Sequence, residues 1–134
     1  MSSSIKDVMG MALPRAGAYI LKLRDIVNQT VIDARKLTHY ALDPNSPYGK
    51  HKAILFEAIL GFTKENYTVL IAQLETKSLH AEAIYRSEDH FGKRYSVDVT
   101  VEGIQGQQAV VRTGWLVPPN SDIAYLATLY VKRR

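Results

Sequence analysis

At 134 residues the chain has the length of one domain, and with 46% hydrophobic residues it has enough apolar side chain for a single core. It contains no cysteine, which excludes disulfides and zinc–thiolate sites, and no apolar run approaches the length of a membrane span. The formal charge of +4, much of it in the second half at Lys93-Arg94, Arg112 and Lys132-Arg133-Arg134, suits a solvated surface and equally attracts polyanions such as RNA, an acidic membrane surface or an acidic protein.

Met1 to Lys6 lacks the apolar core of a signal peptide, and Met1 to Pro14 reads as loosely ordered. A helix is predicted from Arg15 to Arg35, with Leu23, Ile26, Val27, Thr30, Val31 and Ala34 on one face at helical spacing. Residues 1–35 are therefore read as an N-terminal linker or helical segment and residues 36–134 as the domain proper. Lys36 to Pro47 is a connector rich in turn residues. A second helix is predicted from His51 to Leu60, ending at Gly61, and a third from Lys64 to Thr76, capped by Thr63.

After Ser78 the period changes to two. Ala81 to Arg86 is a weak strand and Asp89-His90-Phe91-Gly92 a turn. Tyr95, Val97, Val99 and Val101 alternate with polar residues, as in a strand with one wet face. Gln105-Gly106 signals a hairpin into Gln108 to Val117, and Ala124 to Lys132 is the last strand. The predicted fold is α+β, with N-terminal helices packed on a twisted antiparallel sheet of about four strands.

Two short motifs carry candidate chemistry. In Gly49-Lys50-His51-Lys52-Ala53, the imidazole can accept or donate a proton near neutral pH, and the lysines can stabilise charge growing on a phosphate. The same trio also suits the exposed start of an ordinary helix. In Val111-Arg112-Thr113-Gly114-Trp115, Thr113 and Trp115 share one strand face and Arg112 lies on the other. Trp115 either fills the core or stacks on a base while Thr113 binds phosphate. Arg112 either binds phosphate or pairs with Asp98 on the preceding strand. Thr128 and Tyr130, sharing a face with Leu126, and Tyr95 either pack or position a base or phosphate. No metal-ligand spacing and no nucleotide fingerprint is present, so neither a metal nor a cofactor is expected.

The chain resembles a family of small bacterial domains. The resemblance rests on Lys36-Leu37-Thr38 with Tyr40, on Asn45-x-Pro47-x-Gly49-x-x-Lys52-Ala53-x-x-Phe56 and on Leu60-Gly61-Phe62. It continues in Tyr95-x-Val97-Asp98, Val111-Arg112-Thr113-x-Trp115 and Thr128-x-Tyr130, so it spans about Lys36 to Val131. Members occur at the C-termini of polymorphic and contact-dependent growth-inhibition toxins. The resemblance implies a toxin domain with a cognate immunity protein, acting in the cytoplasm of the target cell after delivery. It also implies the fold shared by barnase, EndoU, colicin D and RelE. The lysine–histidine cluster with a later hydroxyl-x-tryptophan is similar to the site of colicin D, a transfer-RNA nuclease. By that likeness His51 would be the general acid/base, Lys50 and Lys52 would bind phosphate, Thr113 would orient it and Trp115 would support the site. Lys52-Ala53 carries the likeness more than His51, a position at which members vary.

The expected function is metal-independent cleavage of RNA, above all transfer RNA, through attack by the ribose 2′-hydroxyl to leave a 2′,3′-cyclic phosphate. Lys52, His51, Thr113 and Arg112 are the candidate catalytic residues; Lys50, Trp115, Thr128, Tyr130 and Tyr95 are candidates for substrate binding. This reading expects Lys52, Thr113 and Trp115 in one open cleft. The alternative is a non-catalytic module that binds nucleic acid or protein, with Trp115 in the core, Arg112 paired with Asp98, and Lys50 and Lys52 exposed. An immunity protein fits less well, because the partners of basic nucleases are often acidic.

Overall fold

The computed structural model describes residues 20–133. The segment Met1 to Pro14 and the first residues of the helix expected from Arg15 lie outside them. A 3-10 turn, Leu23–Asp25, leads to strand β1, Gln29–Val31, and a π-helical turn, Leu37–Ala41. Helix α1, Lys50–Leu55, runs on through a π-helical turn, Phe56–Leu60. After the 3-10 turn Lys64–Asn66 comes helix α2, Tyr67–Lys77. Four strands follow: β2 Ala83–Asp89, β3 Gly92–Glu102, β4 Gln108–Val117 and β5 Ile123–Val131. The α+β class holds, and Thr63 caps as expected, accepting the Glu65 N–H at 3.3 Å.

The sheet has five strands in the order β1-β5-β4-β3-β2 and is mixed rather than purely antiparallel, because β1 joins β5 in parallel. The described part of the helix expected over Arg15 to Arg35 is thus a turn and a strand. Leu23 and Val27 satisfy a helical spacing and are both buried, but they reach the core from an irregular segment. The β-branched density of Ile26 to Ile32 suits a strand, and the start of β5 offers it hydrogen-bonding partners. Asn28 fixes the junction: its N–H donates to the Asp122 carbonyl at 2.8 Å and its amide to the Asp122 carboxylate at 2.6 Å. Leu21 and Leu23 also hydrogen-bond Ala83 and Ala81 at the start of β2. The residues assigned to a linker are, where described, built into the sheet and core.

The core lies between the helices and one face of the sheet. Phe56, Leu60, Leu70 and Leu74 from the helices meet Val97, Val99, Val101, Val111, Trp115 and Leu129 from the strands. Each fully buried side chain of this kind contributes roughly 1.5–3 kcal/mol relative to exposure. The opposite sheet face carries the polar residues of the same strands and stays partly open.

Candidate functional site

The register of the three long strands assembles the site. Asp98, Arg112 and Tyr130 form one cross-strand row, and Ser96, Gly114 and Thr128 the next. Paired residues share a face, so both rows lie on the open face, where a cleft of about 390 Å³ forms. Gly114 permits the close approach of β5, because a Cβ there would lie 2.9 Å from the Thr128 methyl carbon. A bulge at Ala127 completes the arrangement. Gly114 pairs with Thr128 but Trp115 pairs with Leu126, leaving Ala127 over. Leu126 therefore turns into the core, correcting the expectation that it shares a face with Thr128 and Tyr130.

Helix α1 supplies a cation at the edge of this cleft. Gly49 lets the helix begin directly against the Tyr40 turn; a Cβ at Gly49 would lie 1.9 Å from the Tyr40 carbonyl oxygen. The Lys52 ammonium then donates to the Tyr40 hydroxyl and, at 3.0 Å, to the Thr128 hydroxyl. It stands 4.6 Å from the Tyr40 ring centroid and 5.6 Å from that of Tyr130, close enough for attraction to both rings. Burial opposes ionisation of the Tyr40 phenol. Hydrogen bonds from Lys52 and Thr128, with the charges of Lys52 and Lys36, outweigh it and hold the phenol below its usual range.

Arg112 and Asp98 form the pair that the sequence offered as one alternative. Arg112 donates twice to the carboxylate, at 2.8 and 3.0 Å, and Lys132 adds a third contact at 3.1 Å. One carboxylate shared by two cations leaves this group positive. The hydrogen bond to Asp98 comes first among the effects that hold Arg112 protonated, with Tyr130 adding to it against burial. Two further arginines border the cleft. Arg86, at a bulge in β2, donates to the Ser96 hydroxyl at 2.7 Å, and Arg94 meets Asp89 at 3.3 Å.

The remaining predicted residues divide. Thr113 is 0% and Trp115 1% exposed, both on the core face of β4. The indole N–H donates to the Thr113 hydroxyl at 2.7 Å, and that hydroxyl donates to the Val97 carbonyl at 2.8 Å. Both residues border the cleft, but the ring is packed and both polar groups are satisfied within the protein, so neither side chain presents a free surface to a base or a phosphate. They hold the strand that floors the cleft. Lys50 and His51 are exposed on α1, where successive residues diverge by about 100°, and neither joins Lys52 in its contacts with Tyr40 and Thr128. Tyr95 borders the cleft, half-buried and edge-on to Tyr85 at 5.9 Å. The expected grouping of Lys52, Thr113 and Trp115 is thus replaced by Lys52, Tyr40 and Thr128. Tyr40, absent from the sequence-derived candidates, joins this cluster through its hydroxyl. Its only signal lay in the motif beginning at Lys36.

A family model described as Domain of unknown function (DUF6883) matches residues 22–133. The chain belongs to the DUF6883 family. The DUF6883 match includes β1, consistent with that strand's place in the sheet. A search of solved structures finds the same fold in a chain of the complex named "Contact-dependent growth inhibition toxin - immunity protein complex from Klebsiella pneumoniae 342". The TM-score is 0.61 at 16% identity, covering 78% of this chain and 94% of that one. No curated protein matches. Among the described residues of this DUF6883 chain, no helix is long and apolar enough to cross a membrane.

Proposed function

We propose that this domain is the RNA-cleaving toxin of an interbacterial competition system, acting on transfer RNA without a metal. The observation that carries the reading is the Lys52–Tyr40–Thr128 cluster at the edge of a basic, concave sheet face. Tyr40, as the phenolate, takes the proton from a ribose 2′-hydroxyl. The 2′-oxygen attacks the adjacent phosphorus, and the bond from phosphorus to the 5′-oxygen breaks. The departing oxygen takes a proton from the Lys52 ammonium, and solvent returns both groups to their starting states. The products are a 2′,3′-cyclic phosphate and a 5′-hydroxyl. Thr128 orients a phosphate oxygen, and the positive Arg112–Asp98–Lys132 group with Arg86 stabilises the charge that grows on it.

The fold likeness to a chain of a growth-inhibition toxin–immunity complex supports the biological half of this reading. On this reading the activity belongs to the cytoplasm of a target cell, with a cognate immunity protein restraining it in the producer. The buried Trp115 and the Arg112–Asp98 pair are also what a non-catalytic module would show. Lys52 is not: it is half-buried and bonded to two hydroxyls, one of them on the cleft residue Thr128, rather than to a carboxylate. The test is incubation of the purified domain with total bacterial RNA, with and without EDTA, followed by mapping of the ends. Transfer-RNA fragments with cyclic-phosphate ends, indifferent to EDTA and absent with Lys52→Ala, are expected. Intact RNA from a folded sample would favour the binding module.

A further inference from the structure

A second groove of about 460 Å³ lies beside the first cleft, bordered by Asp33, Arg35, Lys36, Tyr40 and Ala127. Ala127, the bulged residue of β5, borders both spaces. The Tyr40 and Thr128 hydroxyls, 3.5 Å apart, stand between them. The continuity has a structural cause. Strand β1 pairs only with Ile123, Ala124 and Tyr125, so it ends before the bulge, and the small Ala127 leaves room where a longer first strand would close the edge.

The charges of the second groove are not symmetric. Arg35 donates to both oxygens of Asp33, at 3.1 and 2.7 Å, so those two cancel. Lys36 forms no ion pair among the described residues, and its charge reaches Tyr40. The groove therefore presents one uncompensated cation beside the hydroxyl cluster, as the first cleft presents Arg86 on the opposite side.

We propose that this second groove is a phosphate subsite with Lys36 as its cation, so that a single nucleic-acid strand crosses the Lys52–Tyr40–Thr128 cluster with phosphates held on both sides. The proposal rests on the nucleic-acid reading above and sets the substrate class: a strand long enough to fill both spaces, rather than a dinucleotide. Opposed cationic subsites would also fix which phosphate lies at Lys52, since a strand anchored at two points cannot slide by one unit without losing a contact.

Binding of uncleavable 2′-O-methyl oligonucleotides tests this independently of catalysis. A trinucleotide and a dodecanucleotide are titrated against the wild-type domain, Lys36→Ala and Lys36→Arg at several salt concentrations. Lys36→Ala should weaken the dodecanucleotide by about threefold to tenfold and lower its salt slope by ~0.7, the value for one phosphate contact on a single strand. The trinucleotide should be unaffected, and Lys36→Arg should bind as wild type. Equal loss for both lengths, or no loss for either, overturns the subsite. Failure of the wild type to bind the dodecanucleotide overturns it too and points to a protein ligand for the groove. Cleavage of unmodified RNA of the same sequence is scored separately. Length-dependent loss without cleavage would leave the subsite standing and remove the catalytic reading.

Discussion

The Lys52 ammonium and the Thr128 hydroxyl meet at 3.0 Å from positions 76 residues apart in the chain. Neither residue has a carboxylate partner there, so the contact links the helical layer to the open sheet face through hydroxyl groups alone. Replacing Lys52 by alanine should lower cleavage by about 10²–10³, the usual loss for one electrostatic stabiliser of a transition state. The same change should cost only about 0.5–1.5 kcal/mol of stability, one or two hydrogen bonds at a wet site. His51→Ala should cut RNA as the wild type does. A single-turnover assay beside thermal denaturation separates the two effects, and a His51→Ala protein as inactive as Lys52→Ala would return the imidazole to the mechanism.

Tyr40 gives a pH signature. Its phenol titrates below the usual tyrosine range, and the phenolate is the form that accepts the proton. The cleavage rate should therefore rise with pH through the folded pKa, at a lower pH than an ordinary tyrosine would require. Tyr40→Phe keeps the ring over which Lys52 sits but has no proton acceptor, so its rate should be low and flat across that window. A rate profile of the variant parallel to that of the wild type would assign the base elsewhere.

Asp98 should govern acid stability. The hydrogen bond from Arg112, reinforced by Lys132 and opposed by burial, holds its carboxyl below the ordinary value of 3.8. A carboxyl whose folded pKa is depressed adds stability that is complete above the unfolded value and is lost as pH falls through the folded one. The melting temperature of the wild type should thus decline below about pH 4. Asp98→Asn should decline less over the same range while melting lower at pH 7. Superimposable pH profiles would show that the pair contributes nothing measurable.

Trp115 is the single tryptophan and is 1% exposed. Its emission should be blue-shifted, resistant to acrylamide and unchanged by saturating RNA, and it should report global unfolding. Trp115→Phe removes the donor to Thr113 and should cost about 1–3 kcal/mol, seen as a lower denaturation midpoint. Quenching of the native fluorescence by bound oligonucleotide would show that the ring meets a base after all.

The long strands, the two helices and the Thr63 cap were legible because each is a local pattern: a period of two, an apolar stripe, a hydroxyl before a helix. Asp98 and Arg112 were legible as a pair because consecutive strands in a meander place them opposite. The first strand was not. Gln29–Val31 pairs with residues far along the chain, and its helical-looking spacing is decided by a partner no local window contains. The bulge at Ala127 escaped for a related reason: strict alternation assigns Leu126 and Thr128 to one face, and only the register against β4 separates them. Thr113 and Trp115 were placed on a common face correctly, but alternation does not say which face is covered. Tyr40 lies in a π-helical turn with no periodic signature, and its role depends on Gly49 bringing α1 against it.

The parallel pairing of Gln29–Val31 with the start of the last strand also orders events in time. Lys52 precedes Thr128 and Tyr130 in synthesis, and the strand carrying both hydroxyls, held to β4 by a local hairpin, gains its second neighbour only by closing a loop from Asn28 to Asp122, 94 residues apart. Loop closure of that span comes late, after the local hairpins of the meander. A partly synthesised chain, or one still threading through a barrier, has its lysine and its arginines but no assembled cleft. Whatever the site does begins only when the whole domain has arrived.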